Sequence, residues 1–352
     1  MHSYNQIYGD LSVGAGSWMD DKLFKKNLAY PFSKEVINSF KKVILKDLKR
    51  INLHNKIKNM DVMDVGSGRQ SIALLSLGAK SVDHYDISAN NIKRVKKYCK
   101  NINNLKSYQK DICLNDFNKQ KLYDFIYLQG IIQHTKIPED ALKNVCKACK
   151  TNGIIWLYHY QPTSLNYFYV KTLRKVFRNN NLVKLEKELI KLNYTAKLIN
   201  FLMDDIGCDY IHFKNPNNYK KIMEQMGFVQ FYRKNVTNLD KGIKFNNLGA
   251  CLTAYKKMHK PSKNNVFYKG GYIDIYDIKN YKNKTKKNIR ILKKVDKKVK
   301  FFFKKKKFKI RKKIEFVKPI IDGYMNFKKK TTLKEVVKIY NLTNELILLK
   351  EK

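Results

Sequence analysis

No stretch of this 352-residue sequence approaches the roughly 20 consecutive apolar residues that cross a bilayer, so no membrane-spanning helix is expected. The opening residues, Met1 to Gln6, lack a basic region followed by an apolar one; no secretory leader is read there, and a cytoplasmic location is expected. Cysteine is sparse. Its six copies, at 99, 113, 146, 149, 208 and 251, lack the paired spacing of a disulfide framework, and reduced thiols are expected. Cys146-x-x-Cys149 has no second Cys or His pair of matching spacing, so both are read as helix positions and no metal is expected. Acidic residues are also few, 29 against 73 basic ones, which leaves a net charge of +44. Such an excess suits a nucleic acid or an anionic membrane surface as partner, because clustered cations release counterions from polyanions. Lysine far outnumbers arginine, however, and asparagine and isoleucine are abundant, the pattern that A/T-rich codons produce. Composition alone therefore accounts for much of the charge.

What is present is a core-forming composition, 43% apolar, enough for one large α/β domain with an appendage. The charge is unevenly spread. The 92 residues beyond Lys260 hold 29 basic and 8 acidic residues, including Lys304 to Lys307 and Lys328 to Lys330, so a boundary is placed near 259 with Pro261 to Asn265 as linker. Three regions follow: an N-terminal lid or helical segment (1–54), a central domain (55–258) and a lysine-rich extension (259–352). Phe301 to Lys309 interleaves aromatics with lysines, and Thr331 to Leu349 has the periodic apolar content of a docking helix.

Between 58 and 160, short apolar runs alternate with amphipathic stretches, as in strand–helix–strand units around a parallel sheet. Strands are expected at Asp61–Val65, Ser81–Ile87, Ser107 to about Asp111, Tyr123–Leu128 and Gly153–Tyr158. Helices are expected at 71–78, 90–100 and 138–150. Residues 163–205 break the alternation with helical patterns such as Leu182, Leu185, Leu189 and Leu192, read as a helical cap insertion. A helix at 217–226 and strands at Phe228–Tyr232 and Ala250–Tyr255 complete the core. The expected fold is a doubly wound α/β one with a mostly parallel, seven-stranded sheet.

Chemistry concentrates in Asp64-Val65-Gly66-Ser67-Gly68, between a buried strand and a helix, where glycines let backbone approach a ligand. Asp86 ends the second strand 18 residues past Gly68, placed to accept from both hydroxyls of a ribose, and a second acid, Asp111, ends the third. This pattern fits a dinucleotide as well as S-adenosylmethionine. Asp64 separates them: a carboxylate is badly placed beside a pyrophosphate, yet it suits a phosphate-free cofactor carrying an ammonium and a sulfonium. Ser71 also stands where the dinucleotide fingerprint has its third glycine.

Over roughly residues 55 to 257 the sequence resembles the class I S-adenosylmethionine-dependent methyltransferases. The resemblance implies contact of Gly66 and Gly68 with the amino-acid part of the donor, a ribose held by Asp86 and adenine against Ile87. It further implies that Asp111, with Ile112, accepts from the adenine amino group and that Gln129, in Leu128-Gln129-Gly130, lies beside the methionine moiety. One departure is Gln70, where the family's first motif has its third glycine.

Methyl transfer is an in-line displacement, in which the protein aligns the nucleophile and excludes water. His134, just beyond the fourth strand, is the leading candidate to orient or deprotonate an acceptor hydroxyl; the bland alternative is a helix cap. Tyr158 to Gln161 and Met203 to Asp205 are candidates for the acceptor pocket, with Asp205 the second catalytic candidate. Tyr4, Tyr8 and Trp18 are candidate lid residues. No Asp/Asn-Pro-Pro-aromatic motif and no Pro-Cys dipeptide occurs where DNA-methylating enzymes carry them. The cap resembles that of many small-molecule methyltransferases, which favours a metabolite, glycan or lipid head group as acceptor. RNA methylation recruited by the basic tail, a dinucleotide oxidoreductase and a non-catalytic donor-binding protein stay open, and the sequence is silent on oligomeric state.

Overall fold

The computed structural model describes residues 32, 34–50, 54–55, 57–117, 121–160, 165–194, 196–214, 216–234, 249–256 and 309–325. The lid candidates Tyr4, Tyr8 and Trp18, the linker, and the segments 301–308 and 331–349 lie outside them. The described residues fall into two units, one holding those up to 160 with 208–234 and 249–256, the other those within 165–207 and 309–325.

The first unit is built on a seven-stranded sheet in the order β3-β2-β1-β4-β5-β7-β6. Its strands are β1 (Asp61–Val65), β2 (Ser81–Asp86), β3 (Leu105–Gln109), β4 (Tyr123–Gln129), β5 (Cys149–Tyr160), β6 (Phe228–Lys234) and β7 (Gly249–Lys256). The first five are parallel, and β7 runs antiparallel between β5 and β6. Central strands of such a sheet are covered on both faces, which is why four of the five β1 residues are buried, the carboxyl of Asp64 among them. On one face Met63, Ile126, Leu128 and Ile155 pack with Leu142 and Val145 of α4 (Pro138–Lys147) and with Met223 of α8 (Pro216–Gln225). On the other, Val62, Phe125, Tyr127 and Trp156 pack with Ile44 and Leu48 of α1 (Lys34–Arg50) and Leu74 of α2 (Arg69–Ser76). α1, which the sequence reading grouped with the N-terminal segment, thus contributes to this core.

Local chemistry fixes the connections. Ser88 caps α3 (Ala89–Tyr98) by accepting from the Asn91 amide at 3.2 Å. α4 starts on Pro138 with Glu139 and Asp140 in its first turn, matching the helix dipole. It ends at Lys147, three residues earlier than the pattern suggests, because Cys149 already pairs with Tyr123 and opens β5. Cys146 is therefore a helix residue, as expected, and Cys149 a strand residue. Both are buried and in no disulfide, and no group of three or more His, Cys, Asp or Glu among the described residues is placed to hold a metal. β3 also ends two residues before Asp111 rather than at it.

The second unit contains three helices within the region expected to be a helical insertion, α5 (Leu165–Phe177), α6 (Leu182–Lys191), which carries the leucine periodicity, and α7 (Ala196–Gly207). A fourth, α9 (Ile310–Met325), comes from the lysine-rich extension and packs against all three. Its apolar stripe, Ile314, Val317, Ile320 and Ile321, is completely buried, and Lys313 donates to Asn180 at 2.9 Å. Within this unit Arg174 donates to the carbonyls of Asp205 (2.9 Å) and Ile206 (3.2 Å), closing the C-terminal end of α7. Among the described residues no helix is long and apolar enough to cross a membrane.

Burying four such side chains contributes about 1.5–3 kcal/mol apiece. Truncation after Lys309 is therefore expected to melt the helical unit, seen as lost helical circular dichroism and rapid proteolysis between 161 and 207, whereas truncation after Met325 leaves it folded.

Candidate functional site

At the C-terminal end of β1 the chain turns through Gly66 (φ 130°) and Gly68 (φ 77°), backbone conformations that L-residues rarely adopt. Space there is as restrictive as the dihedrals. A Cβ on Gly66 would lie 2.9 Å from Ile131 Cδ1, and one on Gly68 would lie 2.5 Å from Val95 Cγ2. Gly68 also serves as N-cap of α2, which has no side-chain cap and no acid in its first turn. At Gln70, where the motif departs from the family, the side chain accepts from Ser67 Oγ at 2.9 Å and is absorbed into the loop.

Asp64 is 1% exposed, and its Oδ2 accepts from Ser71 Oγ at 2.6 Å. Its Oδ1 is buried without a hydrogen-bond partner among the described residues. A buried acceptor in that state costs roughly 1–3 kcal/mol unless a donor meets it. Burial lifts the Asp64 carboxyl to about 7, with the nearby Asp86 adding to the rise. Asp86, at the tip of β2 and 6% exposed, is lifted to about 7 as well, again by burial, while the Ser88 amide (2.7 Å) and the Asn91 side chain donate to it. Two neighbouring carboxyls are thus both raised well above the ordinary carboxylate range by burial.

Around them the remaining expected residues sort differently. Ile87 is 49% exposed, an apolar side chain left open beside Asp86. Asp111 lies just past β3, where Lys110 N bonds the Asp86 carbonyl at 3.0 Å, and its Oδ1 accepts from the Cys113 amide at 2.8 Å. Ile112 does not line an open surface: it is 4% exposed and packs in the core with Val145 and Phe117, and its carbonyl accepts from Asn144. Gln129 ends β4 with its Oε1 accepting from Trp156 Nε1 at 3.1 Å.

Beyond β4, His134 closes a 3-10 turn (Ile132–His134), and its Nδ1 lies 3.3 Å from the Tyr210 carbonyl. A carbonyl can only accept, so Nδ1 carries the hydrogen and the basic lone pair falls on Nε2. The His134 ring packs edge-on to Tyr160, which stacks on Phe213. Residues 208–214, absent from the sequence reading of the site, are bound to this rim through His212 N to the Gln133 carbonyl (2.8 Å) and Lys214 N to the Tyr160 carbonyl (3.1 Å). Lys214 is also ion-paired to Glu139 at 2.7 Å. Of the two other β5 candidates, Tyr158 packs edge-on to Tyr160, whereas His159 is fully buried against Tyr219 and belongs to the core. Asp205 belongs to the helical unit, 3% exposed on α7.

Sequence reasoning missed three residues that the structure places inside the first site: Ser71 on Asp64, and His84 and Asn91, both on the Gly66 carbonyl. Ser71 carried a signal, since a hydroxyl in the first turn of the helix that follows the glycine loop is a natural partner for the acid that precedes the loop. His84 and Asn91 lie 18 and 25 residues from Gly66, and only the β1–β2 register brings them there.

Comparison with known proteins gives one family match: a family model described as a methyltransferase domain covers residues 37–230. No curated protein matches the sequence. Among solved structures, similarity extends to the CurJ carbon methyltransferase, 14% identical over 63% of this chain and 54% of that one, with a TM-score of 0.41. The N-methyltransferase NodS from Bradyrhizobium japonicum WM9, in complex with S-adenosyl-l-homocysteine, is 12% identical over 67% of this chain and 96% of its own, with a TM-score of 0.38. The magnesium protoporphyrin IX methyltransferase ChlM from Synechocystis PCC 6803, with the same product bound, is 14% identical over 63% and 83%, with a TM-score of 0.39.

Proposed function

The chain belongs to the methyltransferase-domain family and is an S-adenosylmethionine-dependent enzyme, and from that premise we propose that it methylates a small molecule, glycan or lipid head group. The residues of the first site fit the donor. A glycine loop with no room for a Cβ, a buried acid with an unmet acceptor oxygen, a strand-end acid and a half-exposed isoleucine suit, in turn, amino acid, ammonium, ribose and adenine. The donor supplies the electrophilic methyl group. The protein's part is to hold the donor, align the acceptor and exclude water.

The observation that carries the acceptor reading is the composition of the rim past β4 and β5. It is built from His134, Tyr158, Tyr160, Tyr210, His212 and Phe213, and its Lys214 is neutralised by Glu139. A groove that tracks a polyanion instead draws its affinity from cations lined along it. His134 Nε2 is proposed as the group that takes a proton from an acceptor hydroxyl. The test is transfer of a labelled methyl group to fractionated metabolites, glycans, lipids and RNA. Label in a low-molecular-weight or lipid fraction, reduced at least tenfold by His134→Gln, supports the reading; label in RNA alone, lost steeply with salt, replaces it with the RNA reading. Because α9 is part of the helical unit, that alternative is tested by replacing Lys304 to Lys307 rather than by removing the extension.

Donor affinity is expected to depend on pH. Asp64 and Asp86 hold protons below about 7, and a donor bearing sulfonium and ammonium favours their ionised forms. Affinity for S-adenosylmethionine therefore rises as pH climbs towards about 7, by as much as about tenfold per unit for each proton released, and levels off above it. Calorimetry in buffers of different ionisation enthalpy reads that release directly. The neutral-sulfur product, S-adenosylhomocysteine, shows the weaker dependence.

A further inference from the structure

Two buried side chains converge on one carbonyl of the glycine loop. Asn91 Nδ2 donates to Gly66 O at 3.1 Å, and His84 Nε2 meets the same oxygen. Asn91 donates its other amide hydrogen to Asp86 Oδ2, and the Gly66 amide donates to the Tyr85 carbonyl of β2 at 3.0 Å. Both His84 and Asn91 are fully buried. Neither can turn over without cost: a rotated Asn91 amide would set its oxygen against a carbonyl and a carboxylate. Burial keeps the His84 ring neutral, lowering it to about 4. Its single hydrogen therefore lies on Nε2, facing Gly66, and Nδ1 accepts from Ser107 Oγ at 3.2 Å.

In a trans peptide the N–H points opposite to the carbonyl. Anchoring Gly66 O on β2 and α3 thus turns the Ser67 N–H away from those side chains. The same asparagine also fixes the rotation of the Asp86 carboxylate.

We propose that His84 and Asn91 are positioning residues of the donor site, which lock the Gly66–Ser67 peptide and the Asp86 carboxylate into one bracket for the two ends of the donor. This rests on the donor reading above. Held in this way, the loop and the ribose acid are presented together, and the donor is not charged the entropy of ordering them separately.

The test is calorimetry with S-adenosylhomocysteine on the full chain. Wild type must bind; if it does not, the donor reading itself fails, whatever the variants do. Asn91→Leu, close in volume and without donors, is expected to bind 10- to 100-fold more weakly. Added to Asp86→Ala, the same change is expected to cost no more than about threefold further, because its route through Asp86 is already gone; a merely structural role gives additive losses. His84→Gln keeps a donor within reach of Gly66 O and is expected to stay within about fivefold of wild type, while His84→Leu loses at least tenfold. If the leucine variants do not fold, Asn91→Ser, too short to reach either acceptor, takes their place with the same expected loss. Wild-type affinity in Asn91→Leu or Asn91→Ser, or strictly additive losses in the double variant, overturns the proposal.

Discussion

Replacement of Asp86 by alanine is expected to weaken S-adenosylhomocysteine binding at least 100-fold while the protein stays folded. The carboxylate sits at the tip of β2, almost wholly enclosed, and is held in one rotation by Ser88 N and Asn91. A ribose presents two vicinal hydroxyls to such a group. Each charge-assisted bond contributes about 1.5–3 kcal/mol, so losing both exceeds the roughly 2.7 kcal/mol that corresponds to 100-fold. Folding does not depend on the acid in the same way. Its charged form is already penalised by burial, as the rise to about 7 records, so the empty variant gains as much from losing a desolvated charge as it loses in local bonds. Thermal melts with and without ligand separate the two effects: the empty variant melts near wild type, and the upward shift given by ligand disappears.

The second large effect is expected at Gly68. Its φ of 77° costs an L-residue about 1 kcal/mol or more, and the added methyl carbon would sit 2.5 Å from Val95 Cγ2 in the adjoining helix α3. Val95 is completely buried, so it has little room to give way. Gly68→Ala is expected to destabilise the protein by about 2–4 kcal/mol in urea unfolding and to abolish donor binding at micromolar concentrations. Pairing it with Val95→Ala relieves the collision and leaves the dihedral cost. Part of the stability returns in the double variant, while donor affinity stays low because the loop still cannot take its turn.

The sequence displays the parts of this fold that follow from local pattern. β1 falls at Asp61–Val65 as expected, because Val62, Met63 and Val65 are core residues running up to a glycine turn, and the acid among them stands out as the exception. The α4–β5 junction is misread by a few residues. Lys150, Thr151 and Asn152 are polar and look like a helix end, yet pairing with β4 draws Cys149 into the sheet and sets Asn152 at a φ of 64° within the strand. Ile112 shows a different failure: the acid before it is half-buried in the loop, but its own side chain is the one that plugs the core beside α4.

Long-range pairings are harder still. Gly66, Gly68 and Asp86 stand out as a spaced motif, whereas the His84 and Asn91 contacts arise from strand register and helix placement that no local window contains. α9 was hidden by its surroundings. The stripe Ile314, Val317, Ile320 and Ile321 has helical spacing, but a lysine-rich composition draws attention to charge and away from the apolar face that buries it.

Everything proposed for the site requires a phosphate-free, positively charged adenosine to fit between Asp64 and Asp86. Titration of the folded chain with S-adenosylmethionine, S-adenosylhomocysteine and NAD in one calorimetric series tests this most directly. Micromolar binding of the two sulfur nucleosides, with no heat from NAD, is the predicted result. Binding of NAD, or none of the three, would contradict it.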